Sequence, residues 1–356
     1  QLNRATLARQ LLLERSRVSA VEAVGRLAGL QAQLARPPYI ALWSRLADFA
    51  RADLTRAAAG REVVRATAMR GTLHLLTKKD YVAFRPVLQE MLTKGAQSRL
   101  QDRPEIDVEP LVTEARAFFD ERPRTFEELR KHLIALHPDA DERAMGYLVR
   151  MHLPLVQVPD DSPWGWPANS DFAVAESWIG KKLPRTAKPE ALAMSYFAAF
   201  GPASAADLQT WSGVASAREM VEKLRPKLRA LRDPRGRELF DVPDAPRVDE
   251  DAPAPARFLP EFDSLLLAHA DRTRVVADEW RPRIATKNLR ILPTFLIDGF
   301  VAGTWEVERK KGVATLMFAP FGKLAKTAKR ELAEEGERLL RFVEEDAKSY
   351  VVTSVA

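Results

Sequence analysis

One order of elements recurs three times along this chain: several short helices, then two strand-like segments joined by a turn. In the first pass, Leu7, Leu11 and Leu12 share the face of an opening helix, and Ser19 stands as the N-cap of a second helix carrying Val21, Val24, Leu27 and Leu30. That second helix is expected to run out near Gln31 to Ala35, because Pro37 and Pro38 cannot continue it, which puts Gln31 and Gln33 at a helix end. Helices follow over 40–46 and 53–59, the latter closed by Gly60. The segments 63–67 and 72–76 then read as strands around Arg70-Gly71, and Thr77 caps a further helix to about Leu92.

The second pass has helices over 112–119, 125–136 and 141–149, with Thr125 and the acidic Glu127 and Glu128 forming a strong start signal. Strands are expected over 155–158 and at Trp164-Gly165-Trp166. The third pass has helices over 192–200, from Ser204, over 216–224 and over 227–231, then a turn at Arg232 to Gly236 and a strand over 239–242. Helices followed by a short hairpin is the winged-helix order. Beyond the Pro- and Asp-rich 244–256 the texture turns to strands, over 275–277, 292–297, 300–307 and 313–318, with Asp298-Gly299 as a type I′ hairpin signal and Lys310-Lys311-Gly312 as a second turn. A helix over 324–346 completes the pattern. The expected fold class is α+β: three tandem winged-helix domains over 1–111, 112–184 and 185–256, then a small β-barrel over 257–356.

Three such units in one chain suit an extended nucleic-acid surface better than one buried pocket. Charge agrees. The chain carries a formal +6, and between Arg56 and Arg103 ten basic residues face four acidic ones, so this single stretch equals the excess of the whole. A solvated surface would also account for such a run. The absence of cysteine excludes disulfides, thiolate zinc sites and a cysteine nucleophile, and the five histidines lack zinc-motif spacing, so neither metal nor cofactor is expected. No run of about 18 apolar residues could span a bilayer, and Gln1 to Glu14 reads as a polar-faced helix rather than a secretory signal, so a cytoplasmic, nucleoid-associated protein is expected.

Four segments carry a resemblance: Leu27-Ala28-Gly29-Leu30-Gln31-Ala32-Gln33, Arg70-Gly71-Thr72-Leu73-His74-Leu75, Leu259-Pro260-Glu261-Phe262-Asp263, and Asp298-Gly299-Phe300-Val301-Ala302-Gly303-Thr304-Trp305. Together they resemble the bacterial winged-helix superfamily of crosslink-repair DNA glycosylases, in its AlkZ-like, azinomycin-resistance branch. The resemblance implies three winged helices and a β-barrel around a concave DNA-binding face. It also implies an active motif of a glutamine, an apolar residue and a second catalytic residue, here Gln31-Ala32-Gln33. Another branch carries aspartate at the third position, so Gln33 points to the azinomycin-type one.

Two neutral amides suffice only for a special substrate. Cleaving a C1′–N bond gathers positive charge on the sugar, and the base must leave. An N7-alkylated guanine is already cationic and departs neutral, so the protein has only to place a water and orient dipoles. A carboxamide does both, since its oxygen accepts and its nitrogen donates. The expectation is that Gln33 orients the water while Gln31 helps to hold it or the sugar.

Arg36, Arg65, Arg70 and His74, around the motif and the first hairpin, and Arg309, Lys310 and Lys311 on a later hairpin, are the candidate DNA contacts. For His74 a core position is the plainer alternative, and for the hairpin tip, protection of a strand edge. Most tryptophans are expected in the core rather than as stacking platforms. The expected activity is a monofunctional glycosylase acting as a monomer on double-stranded DNA with alkylpurine or crosslink lesions, in repair or antibiotic self-resistance. A non-catalytic transcription regulator and a protein-binding scaffold are the alternatives.

Overall fold

A computed structural model describes residues 1–102, 106–246, 248–288 and 290–355; Arg103, which closes the basic stretch counted above, lies outside the described residues. Helix α1 (Leu2–Arg9) is followed by α2 (Ala20–Arg26), β1 (Leu30–Gln31), α3 (Pro37–Arg45), α4 (Arg51–Ala59), β2 (Val63–Thr67), β3 (Leu73–Thr77) and the long α5 (Lys78–Leu100). Next come α6 (Val108–Glu121), α7 (Phe126–Leu136), α8 (Glu142–His152), β4 (Leu155–Gln157), β5 (Phe172–Val174) and α9 (Ala175–Ile179). Helices α10 (Pro189–Phe200), α11 (Ala205–Ser212) and α12 (Ala217–Leu224) precede the hairpin β6 (Arg229–Arg232) and β7 (Glu238–Asp241). The last part holds β8 (Arg257–Leu259), β9 (Thr294–Ile297), β10 (Phe300–Lys310), β11 (Val313–Pro320), α13 (Lys326–Val343) and β12 (Ser349–Ser354).

Local chemistry sets many of these boundaries. The side chains of Ser19, Thr77, Thr125 and Ser204 each accept a hydrogen bond from the backbone N–H three residues on, and Thr125 and Ser204 complete capping boxes with Glu128 and Asp207. Asp298 and Gly299 take φ of 48° and 79°, and Lys311 and Gly312 take 50° and 86°, as two tight turns of positive φ demand. Other expectations yield. Helix α2 stops at Arg26, because Ala28 and Gly29 adopt positive φ, and Gln31 therefore lies on a strand rather than at a helix end. Pro37 and Pro38 open α3 from its first turn instead of breaking a helix. The hairpin partner of β4 is Phe172–Val174, not the Trp164-Gly165-Trp166 segment, whose Trp166 is instead buried. Residues 229–231, read as the end of a helix, belong to β6 and pair with β7, and 275–277 form no strand.

Two five-stranded sheets frame the molecule. The first has the order β1-β3-β2-β4-β5, all neighbours antiparallel, so the first hairpin and the strands of the next helical trio share one sheet through β2 and β4. The second has the order β12-β11-β10-β9-β8, with β8 and β12 at its edges. This is an open sheet where a closed barrel was expected. Its edge strands β8 and β12, the latter added in parallel to β11, do not pair with each other, and α13 packs against both. A core of α2 to α4 against this second sheet and α13 packs the two ends of the chain together.

Candidate active site

Gly29 decides where the glutamines go. Its φ of +89° turns the chain out of the α2 end, and an added Cβ would stand 2.4 Å from Cδ2 of Leu76. The turn delivers Leu30 opposite Leu75 and Gln31 opposite His74 on the edge of the first sheet, and the Ala32 N–H donates to the Leu73 carbonyl at 2.8 Å. Gln31 is buried and Gln33 is exposed.

Arg65 clamps this segment from below. Its Nε donates to the Ala32 carbonyl at 2.8 Å and its Nη2 to the Gln33 carbonyl at 3.2 Å, and burial lowers its pKa to about 10. Arg70, at the turn between β2 and β3, donates through Nη2 to Gln31 Oε1 at 2.7 Å and through Nη1 to the Trp211 carbonyl at the end of α11. The Leu73 N–H donates to Gln33 Oε1 at 3.3 Å. His74 is buried, its Nδ1 lies 3.0 Å from the Thr72 carbonyl, and burial with the nearby Arg70 charge lowers its pKa to about 3. Its ring is therefore neutral, with the proton on Nδ1 facing that carbonyl.

The glutamines border a cavity of about 680 Å³. Its polar wall is Gln31, Gln33, Arg70, Thr72, Asn288 and Arg290, and its apolar lip is Leu34, Phe262, Leu267 and Ile291. Among the described residues no carboxylate lines it; the two that flank Phe262 in sequence, Glu261 and Asp263, are engaged by Arg290 and Arg45. Leu34 is unusual in being an exposed large apolar side chain at this mouth. Phe262 holds a positive φ of 59°, and its neighbour Asp263 is anchored in a fully buried pair with Arg45 of α3, Nη1 and Nη2 at 2.9 and 2.8 Å from its carboxylate.

The seven basic and imidazole candidates separate. Arg65, Arg70 and His74 gather around Gln31 and Gln33, but Arg65 and His74 are buried and turn their polar atoms to backbone carbonyls rather than to solvent. Arg36 caps α3, with its guanidinium 5.7 Å from the Trp164 ring and 4.0 Å from Glu344. Arg309, Lys310 and Lys311 stand on the exposed β10–β11 hairpin, with Arg309 paired to Asp346 and Lys310 to Glu308. Sequence reasoning missed Phe262, Asn288 and Arg290 as cavity residues. Phe262 lay within a quoted segment, whereas Asn288 and Arg290 sit in an irregular loop that no periodicity marks.

The family model of the AlkZ-like proteins, described as DNA glycosylase AlkZ-like, matches residues 24–342, which include the glutamine pair and every described cavity residue. The chain belongs to the AlkZ-like DNA glycosylase family. It is an enzyme of the class that hydrolyses N-glycosyl bonds. An interstrand DNA cross-link repair glycosylase of Streptomyces sahachiroi is 27% identical over 337 residues, covering 86% of this chain and 87% of that protein. The solved structure of the Streptomyces sahachiroi DNA glycosylase AlkZ superposes with a TM-score of 0.82 at 22% identity, covering 99% of this chain and 98% of that one. The AlkZ-like fold is thus shared from end to end, and it is α+β with an open C-terminal sheet. Among the described residues no helix is long and apolar enough to cross a membrane.

Proposed function

We propose that this AlkZ-like glycosylase hydrolyses the N-glycosidic bond of N7-alkylguanine and unhooks interstrand crosslinks of the azinomycin type, with Gln31 and Gln33 as its catalytic pair. The observation that carries the reading is the cavity wall: it offers amides, a hydroxyl and guanidiniums, and no carboxylate among the described residues. A site of that kind has no acid to protonate a poor leaving group. It suits a base that carries its positive charge beforehand. The C1′–N9 bond breaks with its electron pair moving to the cationic base, which leaves neutral. A water oxygen then bonds to C1′ and its proton passes to solvent.

Gln33 holds that water. Its Oε1 takes the Leu73 N–H on one side, and a carbonyl oxygen has a second lone pair to accept from water. The backbone of the motif cannot drift, because Arg65 holds two of its carbonyls. The exposed Leu34 at the cavity mouth supports an open site, which a base tethered to the opposite strand requires. The three helix groups with their hairpins are three winged-helix units, over 1–111, 112–184 and 185–256, and 257–356 forms a fourth unit. Arg36, Arg309, Lys310 and Lys311 supply phosphate contacts, while Arg65, Arg70 and His74 act from within the site. The protein works as a monomer in the cytoplasm, in repair or self-resistance.

The test is incubation with duplexes carrying N7-methylguanine or an azinomycin crosslink, scoring abasic sites and separated strands. Gln33→Ala is expected to slow base release by about 100-fold, the scale of losing one group that orients a reacting centre. Sequence-specific binding to intact DNA with no base released would instead support a transcription regulator. Full activity of Gln33→Ala would remove Gln33 from the mechanism.

A further inference from the structure

Arg70 occupies a position at the tip of a hairpin where an arginine ordinarily faces solvent, yet it is half-buried and turned inward. Its backbone has φ of +56°, in the left-handed region that a β-substituted residue enters at a cost. The turn is backed by Gly213, itself at φ +81°, which stands so close that an added Cβ would lie 3.3 Å from the Arg70 Cα. The guanidinium spans two carbonyl groups, that of Trp211 behind it and Gln31 Oε1 in front.

Several inward-facing arginines of this chain meet carboxylates, as Arg45 meets Asp263, Arg9 meets Asp241 and Arg15 meets Glu335, whereas Arg65 and Arg85 meet only neutral acceptors. Arg70 meets no carboxylate among the described residues. A desolvated cation given only neutral acceptors is a poor way to stabilise a fold. It is an effective way to orient an amide. A guanidinium only donates, so Gln31 can present only its oxygen to Arg70. The Gln31 NH2 is thereby turned away from Arg70 and has no partner among the described residues, on a side chain that lines the cavity. The same charge polarises the carboxamide and strengthens its N–H groups as donors.

We infer that Arg70 is a positioning residue that locks the rotation of the Gln31 carboxamide, so that Gln31 meets the reacting nucleotide or its water as an N–H donor. The inference rests on the reading of Gln31 as catalytic. It differs from a phosphate contact by Arg70 in what it affects: the rate of base release, not the affinity for DNA.

The experiment is single-turnover release of N7-methylguanine from a duplex over a range of enzyme concentrations, which separates the rate constant from half-saturation. It compares Arg70→Ala, Arg70→Lys, Gln31→Ala, Gln31→Glu and the Arg70→Ala/Gln31→Ala pair, with melting temperatures and the salt dependence of DNA binding for each. Arg70→Ala is expected to slow release by about 10- to 100-fold, the scale of one charge-assisted hydrogen bond, with half-saturation and salt slope unchanged. Arg70→Lys keeps the charge but cannot span both carbonyls, so it should retain part of the rate and carries the test if the alanine variant does not fold. In the Gln31→Ala background, loss of Arg70 should cost nothing further. Gln31→Glu, whose free oxygen cannot donate, should be as slow as Gln31→Ala. Independent losses in the pair, a weakened affinity with a shallower salt slope, or full activity of Gln31→Glu would overturn the positioning role. Slow Gln31→Ala beside fully active Arg70 variants would overturn it alone. Full activity of Gln31→Ala would overturn it together with the catalytic reading of Gln31.

Discussion

His74 and His269 show how much a residue's meaning depends on its surroundings. Both are buried, and in both desolvation is the largest influence, lowering the pKa from 6.5 to about 3. For His74 the Arg70 charge adds to it, and for His269 the Arg274 charge does. The sign follows from which state binds protons first. Below pH 6.5 the unfolded chain protonates these rings while the folded one does not. Their stability contribution is therefore complete above pH 6.5 and declines as pH falls toward 3, by about 1.4 kcal/mol per pH unit for each ring. Thermal melts between pH 7 and pH 4 should show this decline, and His269→Gln should flatten it. A stability that does not change over that range would mean that both rings are accessible to protons.

Among the elements, β1 is the smallest and has the greatest consequence. Two residues long, it sits at the edge of its sheet and carries the first glutamine of the motif, while Gly29 provides the corner and Arg65 the anchor. Gly29→Ala forces a methyl against Leu76 and keeps an alanine at positive φ. The expected loss is about 2–4 kcal/mol from strain and overpacking, with base release falling along with it because Gln31 shifts register against His74. Urea unfolding measures the first effect and single-turnover release the second. The β10–β11 hairpin is built on the opposite plan. It is long, its Arg309 and Lys310 are paired to Asp346 and Glu308, and its tip depends on the positive φ of Lys311 and Gly312.

At the scale of the whole molecule, α1 acts as a strap. Asn3 donates to the carbonyls of Arg274 and Gly299 at 2.7 and 2.9 Å, Arg9 pairs with Asp241 at 2.8 Å, and Gln10 donates to the Ala199 carbonyl at 2.9 Å. The first helix therefore ties the β7 hairpin region to the C-terminal sheet. Arg9→Ala leaves a buried Asp241 carboxylate without its cation, and chemical denaturation should register about 3–5 kcal/mol of lost stability, partly recovered by adding Asp241→Leu. None of these long-range ties is legible in the sequence, since Arg9 looks like any helical arginine. What the sequence determined by itself was local: the caps at Ser19, Thr77, Thr125 and Ser204, the two positive-φ turns, the first hairpin and most of the helices. Each of those signals acts within three or four residues, where side-chain and backbone chemistry decide alone. The motif Gln31-Ala32-Gln33 was legible too, though only by resemblance. The tertiary structure decided that Gln31 lies on a strand, that Arg65 and His74 turn inward, that Phe262, Asn288 and Arg290 complete the cavity, and that the last sheet stays open. Those outcomes depend on which surfaces meet across tens to hundreds of residues, and burial and partner choice at that range leave no period or spacing to read.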